Sequence, residues 1–147
     1  MKLEKPGEGR LKFADKDHPR LPSAKVGLPN PEEYGSSSAP KVINVTVASK
    51  SGLHPYQGQG SSNAYYFDGL ESPALRLSGV DSSYKYYYRF DQSDSSNSSH
   101  PLRFYLEADK STAYTTNVTT NGTAGSSGAY TQIAVDENTP NILYYQC

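Results

Sequence analysis

Short runs of valine, isoleucine, threonine, tyrosine and phenylalanine recur along most of this chain, and each run is closed by glycine, serine, asparagine or aspartate. Residues 42–49, VINVTVAS, alternate apolar with polar side chains. Such alternation is typical of a strand with one buried face, and the closing residues are those that favour turns. The sequence predicts strands at residues 42–49, 64–69, 73–79, 84–92, 101–108, 113–120, 128–136 and 142–146.

The spacing of these runs constrains the architecture. Turn signals follow one another at roughly eight to twelve residues, which is the spacing of a two-sheet sandwich or a barrel. The composition agrees, because the chain contains 13 tyrosines and few stretches rich in good helix formers. We therefore expect residues 41–147 to form one all-β domain, an antiparallel sandwich of about eight strands with almost no helix.

Residues 1–40 have a different character. They hold six of the ten prolines, and their apolar residues follow neither a helical nor a strand period. Two interpretations are open: a disordered tail, or an extended arm that becomes ordered on a neighbouring protein. We favour the arm, because apolar anchors are spaced between the prolines, and we expect the sandwich to fold without it. The partner-binding anchors are Leu3, Leu11, Phe13, Leu21, Val26 and Leu28.

Charge and hydropathy limit the classes of partner. The formal net charge is −1, so no strong field indicates nucleic acid or a membrane surface. No apolar run approaches the roughly 18 residues that a spanning helix requires. The amino-terminal stretch has no apolar core of the kind found in secretory signals, so none is expected. One cysteine cannot form an internal disulfide.

Three histidines and one cysteine are the candidates for metal chemistry. His18 and His54 precede prolines in loop-like segments and are expected to be solvated. His100 precedes one predicted strand and Cys147 ends another. Imidazole and thiolate suit copper or zinc, but two ligands are not a complete site. From these residues alone, a hydrogen-bonded histidine and a small buried cysteine remain the default interpretation.

Other candidate constellations are weaker. Asp91 and Asp94 lie in a serine-rich loop without the spacing of a calcium-binding helix–loop–helix, so a hydrogen-bonded loop is expected. Tyr84, Tyr86 and Tyr88 are candidate surface contacts for a sugar or a base, although alternating tyrosines are more often half core and half surface. No nucleophile elbow, phosphate-binding loop or dinucleotide fingerprint is present, and we expect no enzymatic activity.

Residues 63–147 carry a resemblance. YYFDGLESPALRL, YRFDQSDSSNSSHPLRF and TPNILYYQC, in this order, resemble the cupredoxin-like domains of virion structural proteins of tailed phages, above all phages that infect cyanobacteria. The second stretch is the most specific, since in copper-binding cupredoxins its histidine is the first metal ligand. The third resembles the strand that delivers the ligand cysteine.

The resemblance implies a Greek-key β-sandwich in which His100 and Cys147 occupy the positions of two copper ligands. In the family a second histidine, and often a methionine, follow the cysteine, whereas Cys147 is the last residue here and Met1 is the sole methionine. Either the natural chain runs further, or the fold is retained without its metal. We expect the latter: His100 and Cys147 close together at one end of the sandwich, and no cofactor.

The function implied by the resemblance is that of a non-enzymatic structural protein of a phage virion, as a capsid decoration or a tail or fibre component. Its partners would be other virion proteins and further copies of itself, with no nucleic acid and no membrane. Two alternatives stay open. One is a copper-binding electron-transfer cupredoxin, and the other is a module that binds carbohydrate or the host surface.

Overall fold

The computed structural model of the chain describes residues 2–4, 35–77 and 85–147, with the backbone alone described for residues 2–4 and Arg76. The described part is all-β, and its helical content is one 3-10 turn at Ser95–Asn97. The strands are β1 (Lys2–Glu4), β2 (Lys41–Ser49), β3 (Asn63–Phe67), β4 (Leu70–Glu71), β5 (Leu75–Arg76), β6 (Tyr86–Asp91), β7 (Arg103–Tyr105), β8 (Ala113–Tyr114), β9 (Val118–Asn121), β10 (Tyr130–Val135) and β11 (Ile142–Gln146). The all-β class predicted from the sequence is confirmed.

The strands form two sheets. One has five strands in the order β5-β1-β11-β7-β8, and the other has six in the order β4-β3-β2-β6-β10-β9. Within the six-stranded sheet, β10 pairs with β6 along its whole length, and its first four residues also pair with β9. In the five-stranded sheet, β11 lies between β1 and β7.

The expectation of a purely antiparallel fold is wrong in two places. β2 pairs with β6 in parallel, and β1 pairs with β5 in parallel. A parallel pair requires a long crossover connection, and here the chain leaves β2, passes through β3, β4 and β5, and returns to lie beside β2 as β6. Alternation in a sequence predicts which face of a strand is buried, but it carries no information on the direction of the neighbouring strand.

An aromatic core joins the two sheets. Phe67 and Phe90, from the six-stranded sheet, have ring centroids 5.2 Å apart. Across the layers, Phe67 lies 4.6 Å from Tyr145, and Phe90 meets Phe104 edge-on at 5.6 Å. Each such ring contributes roughly 1.5 to 3 kcal/mol on burial. The inner faces of both sheets therefore share one core, whose further members include Val45, Leu75, Leu102, Ile133, Val135 and Leu143.

One short segment before the predicted boundary at residue 40, Lys2–Glu4, belongs to the five-stranded sheet. The backbone of Leu3 is opposite Leu143 on one side and Leu75 on the other, so β1 lies inside the five-stranded sheet. Of the other predicted anchors, Leu11, Phe13, Leu21, Val26 and Leu28 lie outside the described residues. The sequence did not predict a strand at Lys2–Glu4, and a deletion of residues 1–40 would remove this strand from the five-stranded sheet.

The predicted strand at residues 113–120 is two strands in different sheets. β8 ends at Tyr114 and pairs with β7, whereas β9 begins at Val118 and pairs with β10. Between them Asn117 has a φ of 56°, in the left-handed region that asparagine tolerates better than most residues. Its side chain donates to Asp136 at 3.3 Å, which fixes the corner where the chain changes sheet.

Candidate functional site

His100 and Cys147 meet at one end of the fold. His100 precedes β7, and Cys147 directly follows β11, which is the antiparallel neighbour of β7. The Sγ atom of Cys147 lies 3.7 Å from the Nδ1 atom of His100, although 47 residues separate them. The expected proximity of the two is therefore observed. Cys147 is exposed, and His100 is half-buried.

The backbone of His100 is held by three hydrogen bonds. Its N–H donates to the Asn97 carbonyl oxygen at 2.8 Å. Its own carbonyl oxygen accepts from the Tyr65 hydroxyl at 2.8 Å and from the Gln92 Nε2 at 2.8 Å. The imidazole is thus attached to a fixed segment of chain, on the side of the fold where Cys147 follows β11.

A buried amide network lies beneath this segment. Gln92 is 2% exposed and Asn97 is fully buried. Gln92 Nε2 also donates to Asn97 Oδ1 at 3.2 Å, and Asn97 Nδ2 donates to the Val45 carbonyl oxygen at 2.7 Å. Since buried polar groups are costly unless paired, this network ties residues 92–102 to the core strand β2. Neither amide stands out in the sequence, because asparagine and glutamine in a serine-rich loop are ordinarily solvated.

Tyr65 links the network to the cysteine. Burial, and then the neighbouring sulfur of Cys147, raise the pKa of the Tyr65 phenol well above its ordinary value. The hydroxyl therefore stays protonated and remains a donor to His100 across the ordinary range of pH. Tyr65, His100 and Cys147 form a compact group of a phenol, an imidazole and a thiol.

This group offers one nitrogen and one sulfur donor of the kind that suits copper or zinc. Among residues 2–4, 35–77 and 85–147, no group of three or more histidine, cysteine, aspartate or glutamate side chains could hold a metal ion. The described residues therefore bring together two such donors, which by themselves are not a complete metal site.

The serine-rich loop is internally hydrogen-bonded, as the sequence predicted. Asp91 Oδ1 accepts from the Ser93 N–H at 2.8 Å and from its hydroxyl. Asp94 Oδ1 accepts from the Ser96 N–H at 2.9 Å and caps the 3-10 turn. The hydroxyl of Ser96, followed by its N–H, lowers the pKa of the Asp94 carboxyl. These carboxylates are occupied in shaping the loop.

The candidate tyrosine contacts are placed differently from the prediction. Tyr88 is 1% exposed and lies in the core, so its ring is not available to a surface ligand. Tyr86 is half-buried and packs against the core, and Tyr84 lies outside the described residues. Arg89 lies between the inward-facing Tyr88 and Phe90, and its guanidinium group stacks on the Tyr130 ring at 4.0 Å from the ring centroid. Because Tyr86, Tyr87 and Tyr88 are consecutive, the sequence shows no apolar–polar alternation there that would tell which of them face the core.

His54 also departs from the expectation. It was predicted to be solvated because it precedes a proline in a glycine-rich loop, yet it is only 8% exposed. Both of its ring nitrogens have hydrogen-bond partners. His18 lies outside the described residues.

Comparison with protein-family models, with curated proteins and with solved structures finds no significant match to this chain. Among the residues that the structure describes, there is no helix of the length and apolarity needed to cross a membrane.

Proposed function

We propose that this chain is a non-enzymatic structural protein of a tailed-phage particle. In this proposal the two-sheet domain is a cupredoxin-like sandwich displayed on the particle surface, and the proline-rich segment before β2 anchors it to neighbouring virion proteins. The basis is the resemblance carried by YYFDGLESPALRL, YRFDQSDSSNSSHPLRF and TPNILYYQC, together with an all-β fold over the same residues.

The contact between His100 and Cys147 is the observation that carries the proposal. A cupredoxin-like alignment requires these two positions, distant in sequence, to meet at the ends of neighbouring strands. They do so at 3.7 Å, with His100 shortly before β7 and Cys147 directly after β11. The antiparallel pairing of β11 with β7, in which Gln146 lies opposite Arg103, places the two residues at the same edge of the sheet. The contact supports the relationship to cupredoxin-like domains, and through it the relationship to the virion proteins that contain them.

The location is tested with antibodies raised against residues 41–147 and applied to intact, gradient-purified phage particles. Gold-labelled antibody on the outside of particles is the expected result. The matched control is an antibody against an internal protein of the same particles, which must label only after disruption. Particles that contain the chain but label only after disruption would contradict surface display.

A second candidate function, copper or zinc binding, is favoured by one observation. The Cys147 Sγ and the His100 Nδ1 form a preplaced pair of soft donors. The leading proposal predicts no tight stoichiometric binding when Cu²⁺ is added to the protein. An intense blue charge-transfer band that is lost in both Cys147→Ser and His100→Ala, and retained in His18→Gln, would establish the second candidate instead.

A further inference from the structure

The loop between β2 and β3 has an unusual composition for an exposed segment. Residues 51–62 contain no aspartate, glutamate, lysine or arginine. Leu53 is 93% exposed and Tyr56 is 47% exposed, so the loop presents apolar groups to the solvent. Its two ends meet where the Lys50 N–H donates to the Ser62 carbonyl oxygen at 2.8 Å.

Charged side chains at the base of the loop fix part of its backbone. The Lys50 ammonium group donates to the carbonyl oxygens of Tyr56 at 3.1 Å and Gln59 at 2.7 Å. The Glu71 carboxylate, on β4, accepts from the Ser51 N–H at 2.7 Å and from the Ser51 hydroxyl. The hydrogen bond from the Ser51 hydroxyl lowers the pKa of Glu71, so this carboxylate keeps its charge through the range in which histidine titrates.

His54 is the third anchor, and its hydrogen bonds define its protonation state. The Nδ1 atom accepts from the Tyr56 N–H at 3.0 Å, so it carries no proton. The proton of the neutral ring is therefore on Nε2, which lies 3.1 Å from the Ser72 hydroxyl oxygen and donates to it. The Ser72 hydroxyl in turn donates to the Tyr65 carbonyl oxygen at 3.4 Å. The neutral Nε2–H tautomer is the form that satisfies this arrangement.

We propose that His54 is an acid-sensitive latch on the loop of residues 51–62: the neutral imidazole holds the loop closed, and protonation at Nδ1 releases it. A proton on Nδ1 would point at the Tyr56 N–H. Two donors would then face each other, and the hydrogen bond between Tyr56 and His54 would be lost. The buried ring would also become a cation beside the Lys50 ammonium group. The released loop presents Leu53 and Tyr56 in a mobile rather than a fixed geometry.

The charges around the ring agree with the direction of this switch. Burial lowers the pKa of His54, and the positive charge of Lys50 lowers it further. Glu71 acts in the opposite direction and is the weaker influence. The pKa of His54 in the folded protein lies below the unfolded value of 6.5. The neutral ring therefore contributes its full stability above pH 6.5, and this contribution is lost as the pH falls from there through the folded pKa.

The latch is tested by hydrogen exchange of the Tyr56 amide in the full chain, followed by NMR at about pH 8 and about pH 5 and expressed as protection factors. Protection is expected to fall in acid. The protection factor should fall by about tenfold for each unit by which the pKa of His54 in the closed loop lies below its pKa in the released loop. The same fall is expected in a His18→Gln/His100→Gln double variant, in which His54 is the sole histidine.

His54→Asn is the decisive variant, since its amide oxygen can accept from the Tyr56 N–H and does not titrate. Its loop should stay protected in acid, whereas His54→Ala should be unprotected at both pH values. Equal loss in the wild type and in His54→Asn would overturn the proposal. If the variants fail to fold, the ¹⁵N spectrum of the His54 ring decides: the Nε2–H tautomer with a midpoint below 6.5 supports the latch. The Nδ1–H tautomer, or a midpoint at or above that value, refutes it.

Discussion

The Nε2 atom of Gln92 lies 2.8 Å from the carbonyl oxygen of His100. The Oε1 atom of the same buried amide accepts from the Leu102 N–H at 2.9 Å. One side chain therefore fixes the backbone on both sides of Pro101, between the serine-rich loop and β7. The position of His100 is set by the core of the protein and not by the exposed loop that precedes it.

Replacing this amide should destabilise the whole fold. Gln92→Met keeps the volume but leaves the Leu102 N–H and the Asn97 Oδ1 without this partner. We expect a loss of about 2 to 4 kcal/mol in the free energy of unfolding, because buried groups left unpaired cost about 1 to 3 kcal/mol each. Urea denaturation measures the loss. The control is Gln57→Met on the exposed loop, which should change stability little. Equal effects of the two variants would show that the network is not structural.

Glycine is required at one turn by close packing as well as by backbone conformation. Gly125 has a φ of 88°, and a Cβ there would lie 2.8 Å from the Ser98 nitrogen. Gly128 has a similar φ of 78°, but a Cβ there meets nothing within 4 Å. Both alanine variants incur the left-handed cost of roughly 1 to 2 kcal/mol.

The difference between these two variants isolates the packing at Ser98. Gly125→Ala should be less stable than Gly128→Ala by a further 1 kcal/mol or more, on the order of the cost of overpacking. Thermal unfolding of the pair, recorded in one buffer, checks this. Matching melting temperatures would mean that the loop of residues 93–99 yields freely to the added methyl group.

Stability should fall steeply in alkali. Burial raises the pKa of Tyr145 well above its ordinary value, and Tyr65 is shifted in the same direction. Since the fold accepts the neutral phenols, their contribution is complete below the unfolded value of 10.0 and is lost as the pH rises from there toward the folded values. Urea midpoints at successive pH values above 9 to 10 should show this loss.

Tyr145→Phe separates this titration from general alkaline damage. The variant gives up the hydrogen bond to the Pro73 carbonyl oxygen, at 2.6 Å, and should lose about 1 kcal/mol or more at neutral pH. Its stability should then decline less with rising pH than that of the wild type. Tyr56→Phe, at an exposed position, should follow the wild-type curve. Parallel curves for all three proteins would argue against tyrosine ionisation as the cause.

The sequence predicted strands well where the apolar period is unambiguous. Residues 142–146 match β11, and residues 42–49 fall within β2. The failures have physical causes. β1 is three residues long and is held by its neighbours in the sheet, so its own sequence carries no signal. The break at Asn117 depends on a single positive φ, which alternation alone does not reveal.

The candidate site was predictable only in part. The meeting of His100 and Cys147 followed from a resemblance between aligned stretches, not from their spacing. Of the residues that position His100, Gln92 and Asn97 belong to one short stretch of chain, and Tyr65 belongs to β3. Tyr65 becomes a neighbour of His100 only through the fold. The prediction for His54 was wrong because the position of its ring depends on residues outside the glycine-rich loop. Ser72 contacts the ring, and Glu71 binds the loop backbone at Ser51.

The role of the proline-rich segment is tested with a variant that keeps β1. Replacing residues 6–33 by a glycine–serine linker of equal length retains Lys2–Glu4 for the five-stranded sheet. We expect this variant to fold, as judged by its β-type circular dichroism and cooperative unfolding, but to be lost from assembled particles. A second variant, in which the prolines alone are replaced by alanine, separates chain stiffness from the apolar anchors. Normal incorporation of the linker variant would refute the anchoring role.

The proposed virion role is tested most directly by quantitative mass spectrometry of phage particles purified on a gradient from a lysate in which this chain is produced. The proposal predicts that its peptides follow the major capsid protein across the gradient at a constant ratio and persist after a high-salt wash. Peptides that remain in the soluble lysate fractions and are absent from the particle peak would contradict a virion structural role.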